Sequence, residues 1–98
     1  LLICLDNTNG EVVWSKNIFT NIKNRKIKNN LGSIIDFKIV NNKINFYTKN
    51  GYLLSFNPNN GNLNYQNKIS KKGISSQVIF LNENMLFTDN NNKLLKFN

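Results

Sequence analysis

The fold of this chain is decided by residues 4–14, CLDNTNGEVVW, because the segment recurs fifty-one positions later. The second copy, residues 55–65, reads SFNPNNGNLNY. The glycines of the two copies coincide, and Trp14 meets Tyr65. The only tryptophan of the chain therefore belongs to a repeat, and we interpret it as a structural residue.

A second offset, of forty-one positions, relates the middle of the chain to its end. Residues 39–41 align with 80–82, and residues 53–57 align with 94–98. The ten-residue difference between the two offsets is explained by an insertion within residues 20–30. The repeating unit is then about forty residues long, which is the length of a β-propeller blade.

The signals inside each unit are those of strands and tight turns. Short β-branched and aromatic runs alternate with Asn-Asn, Asn-Gly and Asn-Pro pairs. Residues 40–43 and 49–52 are candidates for two-residue hairpins, and no segment has a sustained helical period. The pattern predicts an all-β fold of four-stranded antiparallel meanders, a partial β-propeller of about two blades. We place strands at 1–5, 11–18, 32–40, 43–48, 51–57, 62–69, 75–81, 84–89 and 93–97.

The chain is thus expected to form one partial propeller over residues 1–98. Residues 1–18 end one blade, residues 32–69 form a complete blade, and residues 74–98 begin the next. An inserted basic loop occupies residues 20–30. Two blades would leave apolar side faces exposed, so we expect the remainder of a propeller, or self-association, to cover them.

The repeated segment resembles the blade motif of PQQ-like propellers, A-x-D-x-x-T-G-x-x-x-W. The first copy matches it with Cys4, Asp6, Asn9, Gly10 and Trp14. The second copy is more degenerate, and its residues are Ser55, Asn57, Asn60, Gly61 and Tyr65. The resemblance is to the BamB-like branch, and it implies a periplasmic or outer-membrane-associated scaffold in the assembly of β-barrel proteins.

Physical chemistry gives the motif residues structural roles. The acceptor side chains are expected to bind turn N–H groups, the glycines to adopt positive φ, and the aromatic rings to cover a turn of the neighbouring blade. The residues assigned to this structural motif are Asp6, Gly10, Trp14, Asn57, Gly61 and Tyr65.

The sequence predicts no catalytic, cofactor-binding or metal-binding residue. It contains no histidine, one cysteine and five scattered acids, which disfavours triads and the usual zinc sites. Asp36, on an inner strand, is interpreted as a hydrogen-bonded structural residue. The family resemblance leaves one enzymatic alternative, a fragment of a PQQ-dependent dehydrogenase. That activity would need a quinone, a calcium ion and a catalytic carboxylate.

The net charge is +8, although the many Asn, Lys and Ile residues suggest that codon bias contributes to it. Seven of the thirteen cations nevertheless fall on connections that a propeller places on one face, with Lys43 as an exception on the opposite face. We expect this face to bind an acidic patch on a partner protein or an anionic membrane surface, whereas nucleic acid is disfavoured. A solvated, mobile loop is the alternative for residues 23–28, KNRKIK. The candidate partner-binding residues are Lys23, Arg25, Lys26, Lys28, Lys49, Lys71 and Lys72.

Overall fold

A computed structural model describes residues 2–22 and 24–97 of the chain, and over these residues the fold is all-β with antiparallel sheets. The described strands form three meanders in chain order, which we call the first, central and third sheets. The first sheet contains β1 (Leu2–Leu5) and β2 (Val12–Lys16). The central sheet contains β3 (Ile34–Val40), β4 (Lys43–Thr48), β5 (Tyr52–Phe56) and β6 (Leu63–Lys68). The third sheet contains β7 (Ile79–Leu81), β8 (Asn84–Thr88) and β9 (Leu94–Phe97).

Each predicted strand contains one of these nine strands, and the largest difference is at β7, which is shorter than the predicted 75–81. The residues before β7 are held by one backbone hydrogen bond, from the Ser75 N–H to the Thr88 carbonyl (2.9 Å), and otherwise by side chains. The Ser75 hydroxyl donates to the carbonyl oxygen of Asp89 (2.6 Å), and the Ser76 hydroxyl accepts from the backbone N–H of Thr88 (2.8 Å). The Val78 N–H donates to the Asp36 carboxylate (3.0 Å).

One of the two predicted two-residue hairpins is confirmed and the other is wrong. Val40 pairs directly with Lys43, and both intervening asparagines have positive φ, as a two-residue turn of this kind requires. The β4–β5 turn has three residues, 49–51, and closes with a hydrogen bond from the Gly51 N–H to the Thr48 carbonyl (3.0 Å). Gly51 supplies the left-handed position at φ 93°, which lengthens the turn by one residue.

The repeated segment folds into the same turn in both copies. The Gly10 N–H donates to the Asp6 carbonyl, and the Gly61 N–H donates to the Asn57 carbonyl, each at 2.7 Å. Both glycines have φ 74°. The side chains of Asp6 and Asn57 each accept a backbone N–H from two residues further on, at 2.8 Å. The turn roles predicted for these four residues are therefore confirmed.

Two hydrophobic clusters hold the three sheets together. The cluster between the first and central sheets contains Phe46, Leu54 and Phe56, against which Leu2 packs. The cluster between the central and third sheets contains the following buried residues: Tyr47, Leu53, Ile74, Val78, Met85 and Phe87. Successive residues of β5, Leu53 and Leu54, thus face opposite neighbouring sheets, because side chains alternate along a strand.

The described part of the inserted segment is largely helical, which corrects the prediction of a loop over residues 20–30. A 3-10 turn covers Ile18–Asn21, and a short helix, α1, covers Arg25–Asn30. Asn24 caps α1 by accepting the N–H groups of Lys26 and Ile27. Buried Ile22 and Leu31 join the first cluster on either side of α1, and this burial anchors the insertion. A six-residue helix is too short to produce a recognisable period in the sequence.

Candidate anion-binding cleft

Three loops meet at one end of the sheets and form the floor of a cleft. They are the β4–β5 turn, the β6–β7 loop and the β8–β9 turn. The N–H of Ile74 donates to the Lys49 carbonyl (3.0 Å), and the N–H of Asn90 donates to the Lys72 carbonyl (3.1 Å). Backbone hydrogen bonds thus fix the loops to one another, and the floor needs no ligand to form it.

Glycines at two positions permit the loops to come this close. A Cβ on Gly51 would lie 2.1 Å from the Ser70 carbonyl oxygen. A Cβ on Gly73 would lie 2.3 Å from the Lys49 carbonyl oxygen. Both contacts are with backbone atoms, which cannot move away as a flexible side chain can, so the floor can form only with glycine at both places.

The helix α1 forms one wall and is attached to the floor by Asn50. The Asn50 side-chain amide donates to the Asn30 carbonyl at 2.8 Å, and the Asn50 backbone N–H donates to the Leu31 carbonyl at 3.2 Å. On the other side, the Asn90 amide donates to the Lys49 carbonyl at 3.4 Å. The side-chain amides of Asn50 and Asn90 therefore hold the walls of the cleft to its floor.

Lysine side chains dominate the charge of the cleft, which has a volume of about 590 Å³. Its charged lining residues are Lys26, Lys68, Lys71 and Lys72. No described carboxylate lines it. The Lys68 ammonium lies 5.7 Å from the ring centroid of Tyr52, within the range of a cation–π contact. A set of ammonium groups with no described carboxylate among them is suited to holding an anion. A protonated lysine acts neither as a nucleophile nor as a general base.

The structure brings together three of the predicted partner-binding residues: Lys26, Lys71 and Lys72. Arg25 and Lys28 are exposed on α1 but do not line the cleft, and Lys49 contributes its backbone. Lys23 lies outside the described residues.

Sequence reasoning missed Lys68, the last residue of β6. A signal for it was present, because the residue that ends β6 directly precedes the loop carrying Lys71 and Lys72. The end of that strand must therefore lie at the same edge as the loop.

Trp14 connects the first sheet to the central sheet, as its predicted structural role requires. The indole N–H donates to the Pro58 carbonyl at 2.8 Å. A Cβ on Gly61 would lie 2.7 Å from two ring carbons of Trp14, so the ring lies directly against the β5–β6 turn. Tyr65, at the equivalent position of the central sheet, is 48% exposed.

The acidic residues form no site of their own in the described part of the chain. Both oxygens of Asp36 accept backbone N–H groups, from Phe37 (2.9 Å) and Val78 (3.0 Å), and Lys38 lies 3.6 Å away. This agrees with the structural role predicted for Asp36.

Within residues 2–22 and 24–97, no three potential metal-ligating side chains lie together. Over the same residues, no helix is both long enough and apolar enough to cross a bilayer.

Comparison with known proteins gives the fold and no family. No protein-family model matches the chain, and no curated protein matches it. Among solved structures, it is similar to the computationally designed protein Ika8, with a TM-score of 0.55 and 9% identity over 91% of this chain. The chain spans 24% of the length of Ika8. This likeness concerns the fold alone.

Proposed function

We propose that the chain is part of a PQQ-like β-propeller that acts as a non-catalytic scaffold for protein–protein interaction, with the lysine cleft as its contact site. The single observation that carries this function is the convergence of four lysines, and no described acid, on a floor fixed by hydrogen bonds. Complementary charge on a partner would both steer the encounter and set its register on this face.

The propeller part of the proposal is supported by the exposed faces at the two ends of the sheet stack. Leu53 of the central sheet is 8% exposed against the third sheet, whereas Leu94, its equivalent in the third sheet, is 67% exposed. Leu54 is fully buried against the first sheet, whereas Ile3, its equivalent in the first sheet, is 49% exposed. Each exposed end face therefore carries an apolar residue at the repeat position that is buried between neighbouring sheets elsewhere in the chain. Further sheets of the same repeat, from the remainder of a propeller or from a second copy, would cover them.

The proposed location is the periplasm or the outer membrane, with a role in the assembly of β-barrel proteins. This part rests on the resemblance of residues 4–14 to the BamB-like branch of PQQ-like propellers. The enzymatic alternative, a fragment of a PQQ-dependent dehydrogenase, gains no support from a specific observation, since the most enclosed acids, Asp36 and Asp89, both accept backbone N–H groups.

Binding of the chain to immobilised poly-glutamate, a general acidic partner, tests the scaffold function. We expect retention at low salt that weakens as salt rises, and we expect Lys71→Glu/Lys72→Glu to abolish it. The matched control is Lys43→Glu/Lys96→Glu, which changes the net charge equally at exposed positions away from the cleft. Equal loss in both variants would contradict a role for the cleft.

A further inference from the structure

The number of positive charges in the cleft restricts the group that fills it. Four ammonium groups line about 590 Å³, and each has three N–H donors. A carboxylate brings one negative charge and two oxygens. A phosphorylated side chain brings a charge of about −1.5 to −2 and three strong acceptor oxygens. Two neighbouring phosphates would therefore neutralise the four lysines, whereas four carboxylates would have to crowd into the same space.

Lysine, and not arginine, supplies the charge of the cleft. The planar fork of arginine matches both carboxylate and phosphate with paired hydrogen bonds, whereas lysine binds phosphate as a point charge. The one arginine of the chain, Arg25, does not line the cleft. The cleft volume, about 590 Å³, falls within the range of ligand pockets.

Two observations separate a phosphorylated protein from other carriers of phosphate. Tyr52 is the one aromatic residue that lines the cleft in the described part of the chain, and the Lys68 ammonium lies over its ring. Its ring face is therefore not free to stack on a nucleotide base. None of the exposed large apolar side chains lines the cleft, so the rim lacks the apolar groups with which an interfacial surface enters a bilayer.

We infer that the lysine cleft recognises phosphate, carried on two neighbouring phosphorylated side chains of the partner protein. The inference rests on the proposed scaffold function and specifies the chemistry of its partner. The ammonium groups hold the phosphate oxygens, and the braced floor keeps the lysine backbones in place before binding.

The test uses the chain labelled with ¹⁵N at glycine and titrated with inorganic pyrophosphate. Gly73 lines the cleft, and Gly51 packs against Gly73 in the floor beneath it. Gly10 and Gly61 lie in turns at the opposite end of the strands and serve as internal controls. We expect pyrophosphate to shift the two cleft signals and not the controls. Citrate, which carries similar charge on carboxylates, should bind at least about tenfold more weakly, a difference of about 1.4 kcal/mol.

Variants and peptides complete the test. Lys71→Gln/Lys72→Gln should weaken pyrophosphate binding about tenfold or more, and Lys43→Gln/Lys96→Gln should leave it unchanged. Unaltered Gly10 and Gly61 signals show that each variant is folded. A peptide with two adjacent phosphoserines should bind at least about tenfold more tightly than the same peptide with two glutamates.

The outcomes distinguish this inference from the proposed function. If citrate and the glutamate peptide bind as tightly as their phosphate counterparts, the phosphate inference is wrong and the acidic-partner scaffold stands. If vesicles with phosphorylated inositol lipids bind and the phosphopeptide does not, the inference that a protein carries the phosphate is wrong. If neither pyrophosphate nor poly-glutamate binds, both proposals fail.

Discussion

Substitution of Gly61 by alanine should measure the contact that joins the first sheet to the central sheet. Gly61 and Gly10 have the same φ, 74°, and the same turn hydrogen bond. They differ in their surroundings, because a Cβ on Gly10 meets nothing within 4 Å, while a Cβ on Gly61 would lie 2.7 Å from the Trp14 ring. Gly10→Ala is therefore a control for the backbone effect alone.

The expected changes in unfolding free energy follow from the backbone strain at positive φ and from the close contact with the Trp14 ring. A residue with a Cβ in the left-handed region costs about 1–2 kcal/mol of unfolding free energy, which is the effect expected for Gly10→Ala. Gly61→Ala adds an overpacking term of about 1–3 kcal/mol. Trp14→Ala should cost about 3 kcal/mol in total. About 2.5 kcal/mol of this comes from the roughly 100 Å² that a half-buried indole removes from water, and the remainder from the hydrogen bond to Pro58.

Urea unfolding followed by circular dichroism gives these free energies, and the fluorescence of the single tryptophan reports on the contact itself. In a double-mutant cycle, the Trp14→Ala background should remove most of the cost that Gly61→Ala has beyond that of Gly10→Ala. Any remaining excess comes from Lys16, whose Cγ would lie 2.8 Å from the new Cβ. Equal effects of Gly61→Ala and Gly10→Ala in the unmodified chain would refute the contact.

Three further predictions concern the cleft floor and two titrating groups. Gly73→Ala should destabilise the chain by more than about 3 kcal/mol, since its Cβ would lie 2.3 Å from the Lys49 carbonyl; a change in the urea midpoint as small as that of Gly10→Ala would contradict the close approach. Burial raises the pKa of Tyr47, so its contribution to stability is present below about pH 10 and is lost as the pH rises through the raised value. Tyr47→Phe should reduce the loss of unfolding free energy with rising pH above about pH 10. An unchanged loss would mean that other groups cause it. The hydrogen bonds from the Thr8 hydroxyl and backbone N–H lower the pKa of Asp6, so its contribution is present above about pH 4 and is lost as the pH falls through the lowered value. NMR titration of its carboxyl carbon checks this, and Thr8→Val, which removes the hydroxyl and keeps the backbone N–H, should raise the pKa only part of the way back.

The strands and turns could be predicted from the sequence because their determinants are local. Alternating apolar residues define each strand, and the Asn-rich pairs supply positive φ where the chain reverses. The repeat at residues 4–14 and 55–65 also predicted the matched turns, with their acceptor side chains and glycines. Helix α1 was missed because its six residues are held by burial of Ile22 and Leu31 on either side of it. Those contacts come from distant strands.

The cleft was predicted in part. Propeller topology, read from the repeat, put Lys26, Lys71 and Lys72 on one face, and the structure brings them together. The sequence could not separate them from Arg25 and Lys28, because which side of α1 faces the cleft depends on how the helix docks.

The sequence by itself determined the strand order, the geometry of the repeated turns and the excess of positive charge, because these follow from the repeat, from local turn residues and from composition. The tertiary structure alone decided that Lys68 joins the lysines of the next loop, and that Gly51 and Gly73 let three loops meet as one floor. The physical reason is distance. Contacts between backbone segments far apart in sequence are set by the packing of the sheets. No local sequence pattern encodes how closely two loops approach each other.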